Sequence, residues 1–193
     1  MSWTKEETKR GKSNFKKNKK RKVKREKKAD ENSKKGTEFE KFIEGLFKDI
    51  FNYLHLKCFE TRKEQYEIGE NPEGLEIKWD GRYSDTNNLY IEIGENRDGR
   101  KGRYVSSGIK RNDNSHHYII GNEEKKIFIF SKKRLQNISK KYRQVNIDTS
   151  EGFLIPEKEA LKYCLCYFEK KKDSWKLIST YSKNKVKKIL KLK

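Results

Sequence analysis

Two side chains able to support hydrolysis of a phosphate ester, Glu76 and Lys78, stand two residues apart in the segment 73–80. On a strand, side chains alternate between faces, so Glu76, Lys78 and Asp80 share one face and the apolar residues between them share the other. A carboxylate can hold Mg²⁺, and a neighbouring lysine can orient or deprotonate the attacking water. The spacing therefore indicates metal-dependent phosphodiester cleavage. The alternative is a chance pair on a solvated strand face in a chain rich in Glu and Lys.

A second carboxylate would come from the strand before this one. The segments on either side of a polar turn at residues 70–73 alternate as the two strands of a hairpin. If the glycines that flank the turn pair with each other, Glu67 faces Glu76, whereas Glu70 lies at the mouth of the turn. Both glutamates remain candidates.

A third strand is predicted at residues 89–93, where apolar and polar residues alternate and Glu92 falls on the polar face. Hairpin geometry would bring Glu92 near Lys78. Asp80 and Glu92 are therefore candidates for side chains that support Glu76 and Lys78 without binding the metal themselves. The alternative is that both are ordinary charged residues in contact with solvent.

The formal net charge of +20 lies at the two ends of the chain. Residues 1–35 carry 16 Lys/Arg against 5 acids and residues 170–193 carry 10 against 1, whereas residues 36–169 balance at 23 against 23. Blocks of like charge stay solvated until a polyanion neutralises them. We expect a disordered basic N-terminal arm, one folded domain at 36–169, and a basic C-terminal tail with a short amphipathic helix after residue 183.

Nucleic acid is the usual partner of such basic segments, with solubility alone as the alternative role. DNA is the expected partner, and RNA shares the phosphate chemistry. No apolar run reaches membrane length, so we expect no anchor, no signal peptide, no membrane partner and a cytoplasmic or nucleoid location. The residues predicted to contact nucleic acid are Lys16, Lys17, Lys19, Lys20, Arg21, Lys22, Lys24 and Arg25.

The periodicity of the remaining chain predicts helices and strands in alternation. A helix with one apolar face is expected from residue 39 to residue 54, with Thr37 as its N-cap. Strands at 117–120 and 126–130 precede a helix at 131–142, and the segment 152–169 is compatible with helix or strand. The predicted fold class is α/β (α+β), a mixed sheet of about five strands flanked by helices, with basic arms that are disordered or helical.

This order of elements resembles the PD-(D/E)xK nuclease superfamily, which includes Holliday-junction resolvases and many restriction endonucleases. The shared features are a helix that opens with Gly-x-x-Phe-Glu at 36–40, a hairpin, the Glu-x-Lys strand, and later strands with a helix. The likeness covers roughly residues 36–156. Five short segments add a likeness to uncharacterised phage-type members: residues 68–71, 74–80, 88–92, 107–109 and 118–121.

The resemblance implies a restriction-endonuclease-like fold, an Mg²⁺- or Mn²⁺-dependent endonuclease, and a form that can be a homodimer. It makes Glu76 a metal ligand, Lys78 the catalytic lysine, and Glu40 a helix carboxylate that supports the metal. One feature departs from the superfamily pattern, because no Asp lies between Asp49 and Asp80. Glu67 or Glu70 would have to replace the usual aspartate. The alternative function is a non-catalytic nucleic-acid-binding protein of the same fold.

Overall fold

The computed structural model describes residue 27 and residues 30–54, 56, 58–59, 63–64, 71–96, 103–172 and 174–192. By contacts between Cα atoms the chain separates into two compact units, Met1–Glu38 and Phe39–Lys193. The predicted strand at 65–69, Glu67, Glu70 and the eight basic residues predicted to contact nucleic acid lie outside the described residues.

Within the described residues, helix α1 covers residues 30–51 and begins before the predicted start. The Thr37 hydroxyl donates to the Ser33 carbonyl at 3.3 Å, which is a contact inside a helix. Thr37 is therefore not an N-cap, and that prediction was wrong. Lys34 and Lys35 pair with Glu38 at i,i+4 and i,i+3 spacing, and such pairs of opposite charge stabilise a helix. The two lysines belong to the segment 1–35, which we expected to be disordered because of its net charge.

The strands and helices that follow α1 alternate along the chain. The strands are β1 (Leu75–Trp79), β2 (Asn88–Glu95), β3 (Val105–Ser106), β4 (His117–Gly121), β5 (Lys126–Ser131), β6 (Gln144–Ile147), β7 (Ser150–Pro156), β8 (Cys166–Lys171) and β9 (Ser174–Ile178). The helices are α2 (Tyr83–Thr86), a 3₁₀ turn (Gly108–Lys110), α3 (Lys132–Ser139), α4 (Glu157–Tyr163) and α5 (Lys183–Ile189).

The first sheet has five strands in the order β1-β4-β5-β8-β9. Strand β1 pairs with β4 in parallel, and the other neighbours are antiparallel. A five-stranded mixed sheet flanked by helices confirms the predicted α/β fold class. The helix predicted at 131–142 is present as the shorter α3, and the helix expected after residue 183 is present as α5.

A second, four-stranded sheet in the order β3-β2-β7-β6 was not predicted. Strand β2 was expected to form a hairpin with β1, and that pairing was wrong, because β2 pairs antiparallel with β7. The alternation in β2 correctly predicted its buried face, since Leu89, Ile91 and Ile93 are fully or almost fully buried. Alternation sets which residues face a core, but it does not set which strand is the neighbour.

The two faces of the first sheet pack against different partners. On one face, Leu75 and Ile77 of β1 join a core cluster with apolar residues of α1 and α5. On the other face, Tyr118 and Ile120 of β4 join a cluster with apolar residues of the second sheet. Glu76 pairs in register with Tyr118. Its side chain therefore points to the face that the second sheet covers, away from α1.

Candidate active site

Glu76 and Lys78 meet on one face of β1, as alternation along the strand predicted. The Glu76 side chain is 1% exposed, and Lys78 Nζ lies 2.9 Å from Glu76 Oε1. The Lys78 side chain is 37% exposed, so its ammonium group lies at the rim and reaches solvent. The pair thus joins a buried carboxylate to a solvent-accessible cation.

The second oxygen of Glu76 is held by residues that precede β4. Arg111 Nη2 lies 3.2 Å from Glu76 Oε2 and donates to it, and Ser115 Oγ lies 3.5 Å from the same oxygen. Arg111 also donates through Nε to Asp113 Oδ2 at 2.5 Å. One guanidinium group therefore bridges two carboxylates, a geometry that suits the planar donors of arginine.

Lys132, the first residue of α3, also binds to this group of side chains. Its Nζ donates to the Arg111 carbonyl at 2.9 Å, to Asp113 Oδ1 at 2.7 Å and to Ser115 Oγ at 2.9 Å. These three acceptors use all three protons of an ammonium group, which has no lone pair to accept. Lys132 is therefore a structural cation here, and it does not act as a base toward Ser115.

We call Glu76, Arg111, Asp113, Ser115 and Lys132 the buried polar cluster. The Asp113 side chain is fully buried, and the side chains of Lys132 and Arg111 are 7% and 18% exposed. Burial alone would raise the pKa of Asp113, but hydrogen bonds from Lys132, Ser115 and Arg111 lower that pKa to about 2. Asp113 is thus held ionised and paired, as a buried charge must be.

One oxygen of Glu76 differs from the rest of the cluster. Oε1 is buried and lies 2.9 Å from the Lys78 ammonium group in an ion pair, and no hydrogen bond to it is present among the described residues. A buried carboxylate oxygen without a donor is a position that a cation can fill. Within the described part of the chain, no group of three or more His, Cys, Asp or Glu residues could hold a metal ion.

The segment that delivers Arg111 is fastened at several points. Ser107 donates to Glu92 Oε1 at 2.5 Å, and Gln136 on α3 donates to the Ile109 carbonyl at 2.6 Å. Gly108 has φ +51°, and a Cβ there would lie 2.9 Å from the Glu92 carbonyl carbon, so a side chain does not fit. The segment 107–109 is therefore fastened to β2 and to α3 just before Arg111.

Glu92 has a different place from the one predicted. Its second oxygen accepts from Ser150 of β7 at 2.8 Å, so both carboxylate oxygens serve the second sheet and the Ser107 segment. The described contacts of Glu76 come from Lys78, Arg111 and Ser115 and do not include Glu92. Glu92 anchors the segment that carries Arg111 instead of flanking Lys78.

Asp80 links the two sheets. Its carboxylate accepts from the backbone N–H of Arg82 at 3.1 Å and from that of Tyr90 in β2 at 2.8 Å. Burial raises the pKa of Asp80 in spite of these hydrogen bonds, and the residue is only 8% exposed. Asp80 is therefore a buried connection between the end of β1 and β2, and solvated charge does not describe it.

Glu40 lies on α1 and is half-buried. This helix packs on the sheet face that carries Leu75 and Ile77, which is opposite to the face of the Glu76 side chain. The described contacts of Glu76 do not include Glu40. The support of a metal ion by Glu40 stays a prediction.

The start of β1 is tied to the same segment as Glu76. The fully buried Asn71 accepts from the Leu75 N–H at 2.9 Å and donates to the Leu75 carbonyl at 2.6 Å. Asn114 donates to the Asn71 carbonyl at 2.8 Å. Gly74 has φ +68°, and a Cβ there would lie 2.6 Å from the Asn114 carbonyl oxygen. These contacts fix Glu76 relative to Arg111 and Ser115.

Sequence reasoning missed four members of the buried polar cluster: Arg111, Asp113, Ser115 and Lys132. A local signal existed for two of them, because Asp113 accepts from the Ser115 N–H at 2.9 Å in a turn that Asp-x-Ser sequences favour. Nothing local indicated that this turn faces Glu76, which lies 35 residues from Arg111.

Comparison of the chain with protein-family models, with curated proteins and with solved structures found no match. No helix of the described residues has the length and apolar character needed to cross a membrane.

Proposed function

We propose that this protein is a metal-dependent nuclease that hydrolyses phosphodiester bonds of DNA, with Glu76 and Lys78 at its active site. The observation that carries the proposal is the fully buried Glu76 carboxylate, which has one oxygen without a hydrogen-bond donor and Lys78 Nζ 2.9 Å from that oxygen. A purely structural carboxylate at this depth is expected to have both oxygens hydrogen-bonded.

In this proposal Glu76 binds Mg²⁺ or Mn²⁺ together with Glu67 or Glu70. The bound cation would supply charge stabilisation to the cleaved phosphate and lower the pKa of a water. Lys78 orients the attacking water, because its ammonium group is at the rim and can donate to solvent while it contacts Glu76. Arg111 and Ser115 engage Oε2, so the carboxylate presents Oε1 toward Lys78.

DNA is the proposed substrate because the chain carries an excess of positive charge, which phosphate binding requires. This excess lies in the two terminal segments. The expected place of action is then the cytoplasm or the nucleoid, or the host cytoplasm if the source is viral. Whether two copies act together on two strands can be read from the stoichiometry of the complex with DNA.

The test is a cleavage assay on linear, branched and single-stranded DNA with Mg²⁺ or Mn²⁺. Glu76→Gln and Lys78→Ala should each reduce cleavage by at least 100-fold, since general acid–base groups typically contribute about 10²–10⁴-fold, and should leave DNA binding within a few-fold. Lys133→Ala is the matched control, because Lys133 is exposed on α3 and lies outside the buried polar cluster. Full activity in either site variant would refute the assignment.

A non-catalytic nucleic-acid-binding protein is the second candidate. One observation favours it: Lys78 and Arg111 already neutralise Glu76, and no further carboxylate of the described residues contacts Glu76. Thermal unfolding with and without Mn²⁺ separates the two candidates. A site that binds metal is stabilised by the ion and loses that stabilisation in Glu76→Gln, whereas a site that binds none shows no shift in Tm.

A further inference from the structure

The C-terminal segment is a folded part of the domain. Val186 of α5 is 2% exposed, Leu190 is fully buried and Leu192 is 6% exposed, and all three belong to the core cluster that includes α1 and β1. Ser182 caps the helix by accepting from the Lys185 N–H at 3.4 Å. The lysines of this segment are therefore carried by a docked element, which fixes their positions relative to the sheet.

Three lysines of this segment are exposed. Lys185 and Lys188 lie three residues apart on α5, and Lys191 follows the C-cap residue Leu190 with φ +58°. Val186 and Leu190, which stand between them in sequence, are buried. A group of exposed ammonium charges on a folded element suits a polyanion such as the phosphate backbone of duplex DNA.

These lysines have few acidic neighbours. In the described part of the segment from residue 170 onward, an ion pair with a carboxylate is present for Lys171, which lies 3.3 Å from Glu169. Lys185, Lys188 and Lys191 contribute positive charge that no carboxylate of the described residues neutralises. Such a charged surface has its largest favourable interaction with an anionic partner.

Two neighbouring features extend this surface. Lys185 Nζ lies 4.7 Å from the centre of the Tyr181 ring, and Tyr181 is 40% exposed. Lys170 pairs in register with Trp175 and has the same parity as Phe168, so it lies on the sheet face that α5 covers. An exposed aromatic ring beside lysines is a feature of surfaces on which bases stack.

The end of the C-terminal segment packs near the starts of β1 and β4. Leu190 and Leu192, on either side of Lys191, belong to the same core cluster as Leu75 of β1, which pairs in register with His117 of β4. In agreement with this packing, the charge of Lys191 adds to the effect of burial in lowering the pKa of His117 and of His116.

We propose that Lys185, Lys188 and Lys191, here called the C-terminal ridge, bind the sugar-phosphate backbone of duplex DNA. These residues belong to the C-terminal segment and not to the basic N-terminal arm. The proposal rests on the proposed function for the identity of the partner as nucleic acid, but it concerns binding and requires no cleavage. Tyr181 adds a stacking contact that matters when the bound strand is unpaired.

The test is a binding titration with the full chain carrying Glu76→Gln, so that no substrate is cut. The triple variant Lys185→Gln, Lys188→Gln, Lys191→Gln is compared with a matched control, Lys133→Gln, Lys140→Gln, Lys158→Gln, whose three lysines are also exposed. For a duplex, the ridge variant should lower the slope of log K against log salt by ~2.7, because each phosphate contact contributes ~0.9, and the control should leave the slope unchanged. Equal Tm values of the two variants confirm that folding is intact.

Parallel titrations with single-stranded DNA and duplex RNA show which kind of nucleic acid the ridge binds. Tyr181→Ala should weaken binding of single-stranded DNA by several-fold and leave duplex binding unchanged. An unchanged salt slope in the ridge variant, an equal loss in the control, or no binding of duplex by the unaltered chain would each overturn the proposal. Cleavage by the wild-type protein is measured separately. A lower salt slope in the ridge variant together with no cleavage by the wild type would support the ridge and refute the nuclease. Cleavage by the wild type together with an unchanged slope in the ridge variant would support the nuclease and refute the ridge.

Discussion

Among single residues, Asp113 joins the two cations of the buried polar cluster, and its replacement tests how that cluster is held. Asp113→Asn leaves the nearly buried Lys132 and the Arg111 guanidinium without a carboxylate between them. Breaking a buried pair typically costs about 3–5 kcal/mol, so we expect a loss of free energy of unfolding near that range in urea titrations. Glu159→Gln is the control, because its partner Lys162 is exposed and such pairs contribute about 0–1 kcal/mol.

The same residue gives a pH dependence with a defined sign. The pKa of Asp113 is lowered from 3.8 to about 2, so the native state binds fewer protons than the unfolded state between these values. Its contribution to stability is fully present above pH ~4 and is lost as the pH falls toward 2. The difference in free energy of unfolding between wild type and Asp113→Asn should therefore shrink over that interval. A constant difference would contradict the ion-pair assignment.

Two glutamates compete to complete the proposed metal site. If the hairpin register predicted from the sequence holds, Glu67 faces Glu76, so Glu67→Gln should abolish the Mn²⁺-dependent rise in Tm and Glu70→Gln should retain it. The opposite result would identify Glu70, the carboxylate in the turn, as the second metal ligand. If both variants keep the full shift, the non-catalytic function is favoured.

At the scale of elements, the start of β4 carries a buried histidine, His117, whose protonation opposes folding. His117 is 7% exposed, and burial, followed by the charges of His116 and Lys191, lowers its pKa from 6.5 to about 4. Because protonation is favoured in the unfolded state, stability is fully present above pH 6.5 and falls as the pH drops toward 4, by ~3 kcal/mol from this residue. The pKa of the neighbouring His116 is lowered too, so protonation of either histidine lowers the free energy of unfolding.

His117→Leu removes that titration and places an apolar side chain at this buried position. We expect the pH dependence of unfolding between 6.5 and 4 to flatten in this variant, as measured by urea titration at several pH values. His116→Leu is the comparison, since His116 is half-buried and should flatten the curve less. An identical slope in wild type and His117→Leu would show that His117 is not the source.

At the scale of the whole molecule, the charge of the N-terminal segment and that of the C-terminal ridge should act additively on a polyanion. Residues 1–26 contain 12 Lys/Arg, and their deletion spares α1. We expect the deletion to weaken binding to duplexes of any sequence and to lower the salt slope by ~0.9 for each phosphate that the shortened chain no longer neutralises. Combining it with the ridge variant should lower the slope by the sum of the two effects. An unchanged slope in the deletion would make the N-terminal segment a spectator.

The sequence by itself determined the features that depend on local periodicity. Alternation placed Glu76 and Lys78 on one face of β1, and the apolar residues of α1 and α5 marked the faces that pack on the sheet. These patterns are decided within a few residues, because a strand repeats every two residues and a helix every 3.6. The mixed α/β class followed from the order of such elements, although two strands of the five-stranded sheet, β8 and β9, were not among the predicted strands.

Only the tertiary structure decided which elements are neighbours. Strand β2 could pair with β1 or leave it, and it joined β7, which lies about sixty residues further along the chain. The same long-range folding brought Arg111 to Glu76 and Lys132 to Ser115, and it placed Glu92 against Ser107. Side chains far apart in sequence carry no local signal of contact. Their meeting is set by how the two sheets pack, because packing must bury each polar group with a partner.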